Sequence, residues 1–271
     1  MAGDLVISTI NGGAIGAKNA IINGNFGINQ RGVSGTVVLS AGDYGHDRWK
    51  AGTSGCTYTF TTTNNVTTIT ITAGSLMQVI EGINLQSGTY TLSWTGTAQG
   101  QVDGGVYAGS GLTGTAVGGT NQTIEFNTGT LSLVQYEAGS VATPFEHRQY
   151  GQELALCQRY YQKSYDYETV PGTNTTVGSV TSRGDASSTM TQHALTTRFV
   201  VTMRAVPTMV LYSRSGTSGS VSDCGISATT ENGTVSVSSL TGLGTNGLSC
   251  LSLSTAAGPS ISMQYTAEAE L

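Results

Sequence analysis

The chain has 271 residues, enough for two ordinary domains, and only 10% of them are charged, against roughly a quarter in typical soluble domains. A net charge of -5 without clustered Lys and Arg argues against nucleic acid as a partner, and no run approaches the roughly 18 apolar residues that cross a bilayer, which argues against membrane insertion. With 38 glycines and 4 prolines, many tight turns between strands are expected, and hydroxyls rather than charges must hold water.

Residues 1–18 are Gly-rich and patterned only at Leu5-Val6-Ile7. They are read as an N-terminal tether or a strand lent to a neighbour. They lack the charged start and apolar run of a secretory signal, so synthesis in a cytoplasm is expected. Asn19 to Gly32 then sets Ile21, Phe26 and Ile28 between turn signals at Asn23-Gly24 and Arg31-Gly32. A loop rich in acids and aromatics follows, with Asp43, Tyr44, His46, Asp47 and Trp49.

From Cys56 to Glu137 the apolar period is 2. Tyr58 and Phe60 alternate with threonines; Val66, Ile69 and Ile71, then Met77, Val79 and Ile80, continue the pattern. Tyr90, Leu92 and Trp94 share one face, opposite Thr91, Ser93 and Thr95, and Ile124, Phe126, Leu131, Leu133 and Tyr136 close the region. Turns at about 8–12-residue intervals predict a sandwich.

At Tyr150 the pattern changes. Tyr150, Leu154, Cys157 and Tyr161 step by 4, 3 and 4, the apolar seam of a helix predicted within 149–165. So short a helix must pack on its own domain or on its copies in other subunits. Residues 166–188 read as loop, and strands return from Leu195, carrying Phe199, Val201, Met203, Met209, Leu211, Val221, Ile226, Val235, Val237, Leu248, Leu251, Leu253, Ile261, Met263 and Tyr265. The predicted fold class is therefore all-β: two β-sandwich, jelly-roll-like domains, 19–148 and 166–271, joined by one short α-helix.

No motif for catalysis stands out. The four cysteines lack C-x-x-C spacing, so no zinc site and no cofactor are expected, and free thiols suit cytoplasmic synthesis; Cys224 and Cys250 share the C-terminal half and could meet across strands. Two G-x-G-x-x-G matches, from Gly109 and from Gly242, precede no helical pattern and read as hairpin turns. Arg183-Gly184-Asp185 reads as a charged loop tip, and sequons at Asn65, Asn121, Asn174 and Asn232 follow from composition. His46, His147 and His193 form no ligand pattern. Asp43 with Asp47, and Asp166 with Glu168, are close enough in sequence to be weighed as acid pairs. The Asp43–Trp49 loop is either a sugar or calcium site, or a place where Trp49 is core and Asp47-Arg48 a local ion pair. The candidate ligand residues are Tyr44, Trp49, Asp43, His46 and Asp47; Trp94 is a doubtful further candidate, since it shares the core face of Tyr90 and Leu92. Tyr160, Tyr161, Tyr165 and Tyr167 read either as sugar-stacking rings or as packing for the helix.

Several strings resemble one family. Ala142-Thr143-Pro144-Phe145-Glu146-His147-Arg148, followed by a helix carrying Cys157-Gln158-Arg159-Tyr160-Tyr161, resembles the junction of bacteriophage tail-fibre and virion appendage proteins with a carbohydrate-binding-like sandwich. The opening Asn19–Gly32, the Asp47-Arg48-Trp49 triplet and the close Tyr265–Leu271, with Glu268 where the family has aspartate, extend the likeness. The resemblance implies a virion protein, often a homotrimer, joined to other virion proteins through its N-terminal segment and contacting host-surface glycan without enzymatic action. A purely structural part, such as a head fibre, decoration or spacer, is the alternative. A depolymerase is the weakest reading, because such fibres usually carry a long β-helix for which this chain has no room. Within a trimer, Leu154, Cys157 and Tyr161 are expected to line the axis.

Overall fold

The computed structural model describes residues 18–183, 190–224, 231 and 233–271. Nearly all of the tether, Gly184 and Asp185, Ile226, and the sequon at Asn232 lie outside the described residues. Among the described residues strand makes up 49% and helix 5%, in two separate antiparallel sheets, so the fold is all-β with two domains. Of the described residues, one compact unit comprises 18–29, 33–154 and 271; the other comprises 30–32 and the described part of 155–270. The division thus falls inside the helix, not on either side of it.

The first unit holds β1 (Val37–Leu39), β2 (Lys50–Thr63), β3 (Val66–Ile80), β4 (Gly88–Thr95), β5 (Gly100–Val102), β6 (Leu112–Ala116), β7 (Gln122–Phe126) and β8 (Gly129–Ala138). β3 serves two partners: Ile69–Ile71 pair with β8, and Leu76–Ile80 pair with β7, which carries β5 on its other edge. Between them Gly74 lies at φ +71°, where a Cβ would strike the Gly55 carbonyl. β8 switches in turn from β3 to β4 next to Leu133, at φ +50°. These changes of partner set β1-β2-β3-β7-β5 against β8-β4-β6. One core fills the space, including Tyr58, Ile71, Leu92, Trp94, Phe126 and Tyr136. In β3 the buried phase is Leu76, Gln78 and Ile80, so Met77 and Val79 face outward.

The strings that carry the family resemblance have architectural work in this unit. Asn19 and Asn23 are buried. The Asn19 side chain donates to Val134 O (3.0 Å) and accepts from Ile21 and Tyr136 N–H (3.0 Å each). Asn23 donates to Ile28 O (2.8 Å) and Asp47 O (3.0 Å). Glu146 accepts the Lys18 and Asn19 amides at 3.2 and 2.9 Å, while Arg148 donates to Asn19 O, Ile21 O and Glu153. The exit of the sandwich thereby clasps its opening segment.

Helix α1 (Tyr150–Gln158) starts where the spacing predicts but ends early. Tyr161 opens β9 (Tyr161–Lys163), paired with Glu268 of β16 (Ser260–Glu268). The strand edge offers backbone partners that a fourth helical turn would forgo. The expected axis seam is corrected with it. Cys157 is fully buried and Tyr161 only 4% exposed within the chain, so neither leaves a face for another subunit, and Leu154 is half-buried.

The second unit adds β10 (Val180–Arg183), β11 (Met190–Arg198), β12 (Thr208–Tyr212), β13 (Ser220–Asp223), β14 (Gly233–Thr241) and β15 (Gly247–Ala257). β16 is its hub, pairing with β9, β10, β12 and β13. Its Ile261, Met263, Tyr265 and Ala267 enter the apolar core, yet Ser260, Ser262, Gln264 and Thr266 on the other face are buried too. Gln264 donates to Thr175 O (3.0 Å) and Val177 O (2.8 Å), and Ser262 Oγ accepts from Arg214 Nε (2.9 Å).

Candidate functional site

The structure separates the five sequence-predicted ligand residues. Gly45 N–H bonds Trp49 O (3.0 Å) and Trp49 N–H bonds His46 O (2.9 Å), a tight loop that turns the Trp49 ring inward. Trp49 is fully buried against Phe26 and Phe126, its indole N–H on Asn23 O at 2.9 Å. Asp47 is fully buried and His46 is 2% exposed. His46 Nδ1 lies 2.9 Å from Tyr58 Oη, and burial lowers its pKa to about 4. Those three are core groups, which corrects their assignment to a sugar or calcium site. Asp43 is exposed and binds the Ser40 amide (3.1 Å); Tyr44 is half-buried, its hydroxyl donating to Leu271 O at 2.5 Å. Trp94 is core as well, its indole N–H donating to Ala98 O at 3.0 Å. Asp166 and Glu168 sit on an exposed loop.

Beside Tyr44 the outer face of the β2-β3-β7-β5 layer carries a denser constellation. Strand register aligns Lys50, Met77, Glu125 and Gln101 in one row across the four strands. The neighbours of Lys50, Met77 and Glu125, which are Ala51, Leu76 and Phe126, point into the core, so these three face outward, while Gln101 at the end of the row is only 7% exposed. Glu125 is its centre. Ser75 Oγ donates to Oε1 at 2.5 Å and Gln101 Nε2 to Oε2 at 2.6 Å. Gly52 makes this possible: a Cβ there would lie 2.1 Å from Ser75 Oγ and 2.7 Å from Glu125 Oε1.

The loop after β5 closes back on the row, with Gly100 and Ala108 exchanging backbone bonds of 2.9 Å. That return brings the half-buried Tyr107 ring beside Glu125; burial first, then the Glu125 charge, raises the pKa of its hydroxyl. A fixed carboxylate, two hydroxyls, a ring and the Met77 thioether thus share one half-buried surface, with the Gln101 amide buried beneath it. Such a mixture of flat apolar area and oriented polar groups is what sugar rings require.

On the other side of this loop a cleft of about 350 Å³ opens between β5 and β6, lined by Val102, Asp103, Val106, Leu112, Thr113 and Thr115. Asp103 borders it, its carboxylate held by Thr123 N–H (2.7 Å) and Gln122 Nε2 (3.1 Å). Behind them Tyr136 donates to Gln122 Oε1 at 2.9 Å; burial and then the Asp103 charge push the Tyr136 hydroxyl well up.

Comparison with protein-family models, curated proteins and solved structures finds no match to this chain.

Other sequence signals resolve into structure. Gly242 to Gly247 form the β14–β15 hairpin turn, and the first glycine match leads into β6; neither precedes a helix. The cysteines are free thiols. Among the described residues no three His, Cys, Asp or Glu side chains are grouped to hold a metal ion. Tyr160 and Tyr165 are buried, as in the packing reading. Sequence reasoning missed Ser75, Gln101, Tyr107 and Glu125. Their one local signal is Glu125 itself, an acid in the outward phase between Ile124 and Phe126; the partners come from three other segments.

Proposed function

We propose that the protein is a non-enzymatic bacteriophage virion appendage whose N-terminal sandwich contacts host-surface glycan. The virion part rests on the resemblance of the Ala142–Tyr161 junction, the Asn19–Gly32 opening and the chain's close. The glycan part is carried by the half-buried cluster of Glu125, Ser75 and Tyr107, with Gln101 buried behind it and holding Glu125. Binding without hydrolysis fits its make-up: glycosidases generally use two carboxylates roughly 5–9.5 Å apart, whereas here one carboxylate is tied to Ser75 and Gln101 as a fixed acceptor. A homotrimer, joined to the virion through residues 1–18, completes the reading, with subunit contacts away from buried Cys157 and Tyr161.

A purely structural virion part is the second reading. It is favoured by the burial of His46, Asp47 and Trp49, which removes most of the first candidate loop from solvent. The test is an array of bacterial surface polysaccharides probed with the purified chain. Saturable binding that Tyr107→Ala abolishes, with the melting temperature unchanged, supports glycan contact. A flat array supports the structural part, and release of new reducing ends would overturn the non-enzymatic reading. Light scattering is expected to give three times the chain mass.

A further inference from the structure

We infer that the Glu125 face selects neutral, hydroxyl-rich glycans and rejects acidic ones. The inference rests on the glycan-contact reading above and adds the class of sugar. The argument is one of charge and hydrogen-bond type. The centre of the face is an anionic acceptor, half-buried, with Ser75 and Gln101 fixing both oxygens. A sugar hydroxyl donates to such a group in a charge-assisted bond, whereas a uronate or sialate carboxylate would meet a like charge in partly desolvated surroundings. A second carboxylate, Asp103, stands across the Tyr107 loop at the adjoining cleft, so a ligand crossing the loop meets negative charge on both sides. The cation of the row, Lys50, is engaged elsewhere: its Nζ donates to Leu271 O at 2.6 Å and lies 5.8 Å from the Tyr44 ring centroid. Met77, between Lys50 and Glu125 in the row, supplies apolar area against which a pyranose face can lie. The whole chain, at -5, adds a weak repulsion of the same sign.

The experiment measures binding of the full chain to neutral polysaccharides (dextran, mannan, galactan) and to acidic ones (polygalacturonate, alginate), at low and high salt. Glu125→Gln keeps the shape and removes the charge. The expected result is binding to a neutral member that changes little with salt and falls about tenfold or more in Glu125→Gln, the usual cost of a charge-assisted bond. Acidic members are expected to bind only once Glu125 is neutralised. Equal or tighter binding of an acidic member by the unaltered chain, or neutral binding indifferent to Glu125→Gln, overturns the inference and leaves glycan contact standing. Binding to no member of either class overturns glycan contact itself. Thermal melting of Glu125→Gln guards the reading: if it melts early, Ser75→Ala, which removes one donor from the same carboxylate, must reproduce the loss for the inference to stand.

Discussion

In the N-terminal unit the interior sets seven rings, Phe26, Trp49, Tyr58, Tyr90, Trp94, Phe126 and Tyr136, among aliphatic side chains. In the C-terminal unit it is built from Leu, Ile, Val and Met around Phe199 and Tyr265, and the hub strand β16 buries a polar face as well. Rings bury large areas from few positions, so one wide apolar core can close between the two layers. A buried serine or glutamine adds little area; it holds its place through hydrogen bonds whose loss exposes the cost of desolvation. The comparison teaches that one antiparallel architecture tolerates two kinds of interior, and that the two should fail differently when cut.

The largest expected effect is in the ring core. Trp49→Ala removes a fully buried ring packed on Phe26 and Phe126 and should cost about 3–5 kcal/mol. Both tryptophans belong to the N-terminal unit, so the remaining Trp94 reports urea unfolding of that unit alone. A loss under about 1 kcal/mol would break the contrast.

His46 gives the ring core an acid sensitivity. Its pKa is about 4 in the fold against 6.5 for the free side chain, so between those values the unfolded chain binds more protons. Stability from this group is therefore complete above pH 6.5, falls as pH drops towards 4, and levels off below; the expected loss is about 3 kcal/mol. Urea midpoints of His46→Gln and the unaltered chain, compared from pH 7 to 4, should converge as pH falls. Parallel curves would refute the assignment.

Cutting the polar interior should cost less. Gln264→Ala leaves the carbonyls of Thr175 and Val177 without their donor and should destabilise the C-terminal unit by about 1–3 kcal/mol, seen by hydrogen exchange along β16. Trp94 fluorescence should be unmoved. The smallest effect is chemical. Cys56, Cys157 and Cys224 are buried, and burial pushes the Cys56 thiol up to about 12, whereas Cys250 is half-buried. Native labelling with a maleimide is expected to modify Cys250 first, and early modification of Cys56 would show the ring core to be open.

Alternation made Tyr90, Leu92 and Trp94 legible as a core face before any coordinates, because period 2 puts them on one side of a strand. The same rule reached only one face of β16. Its apolar positions were evident, but that Ser260, Ser262 and Gln264 are equally buried depends on strands and loops from elsewhere covering them. The start of α1 was legible from the change of period. Its end was not, since Tyr161 continues the helical spacing and yet finds backbone partners on β16. The ligand loop at Asp43–Trp49 looked plausible because acids and rings were adjacent, and adjacency says nothing about which way a loop turns.

By itself, then, the sequence determined the class of fold, the two β regions, the helix start and the inward phase of most strands, because these follow from local period and turn chemistry. Only the tertiary structure decided that Trp49 and His46 are core, that Cys157 and Tyr161 are covered, and that Glu125 meets Ser75, Gln101 and Tyr107. The Glu125 contacts join residues up to 50 positions apart, and the register of separate strands that brings them together is set by the packing of the whole unit.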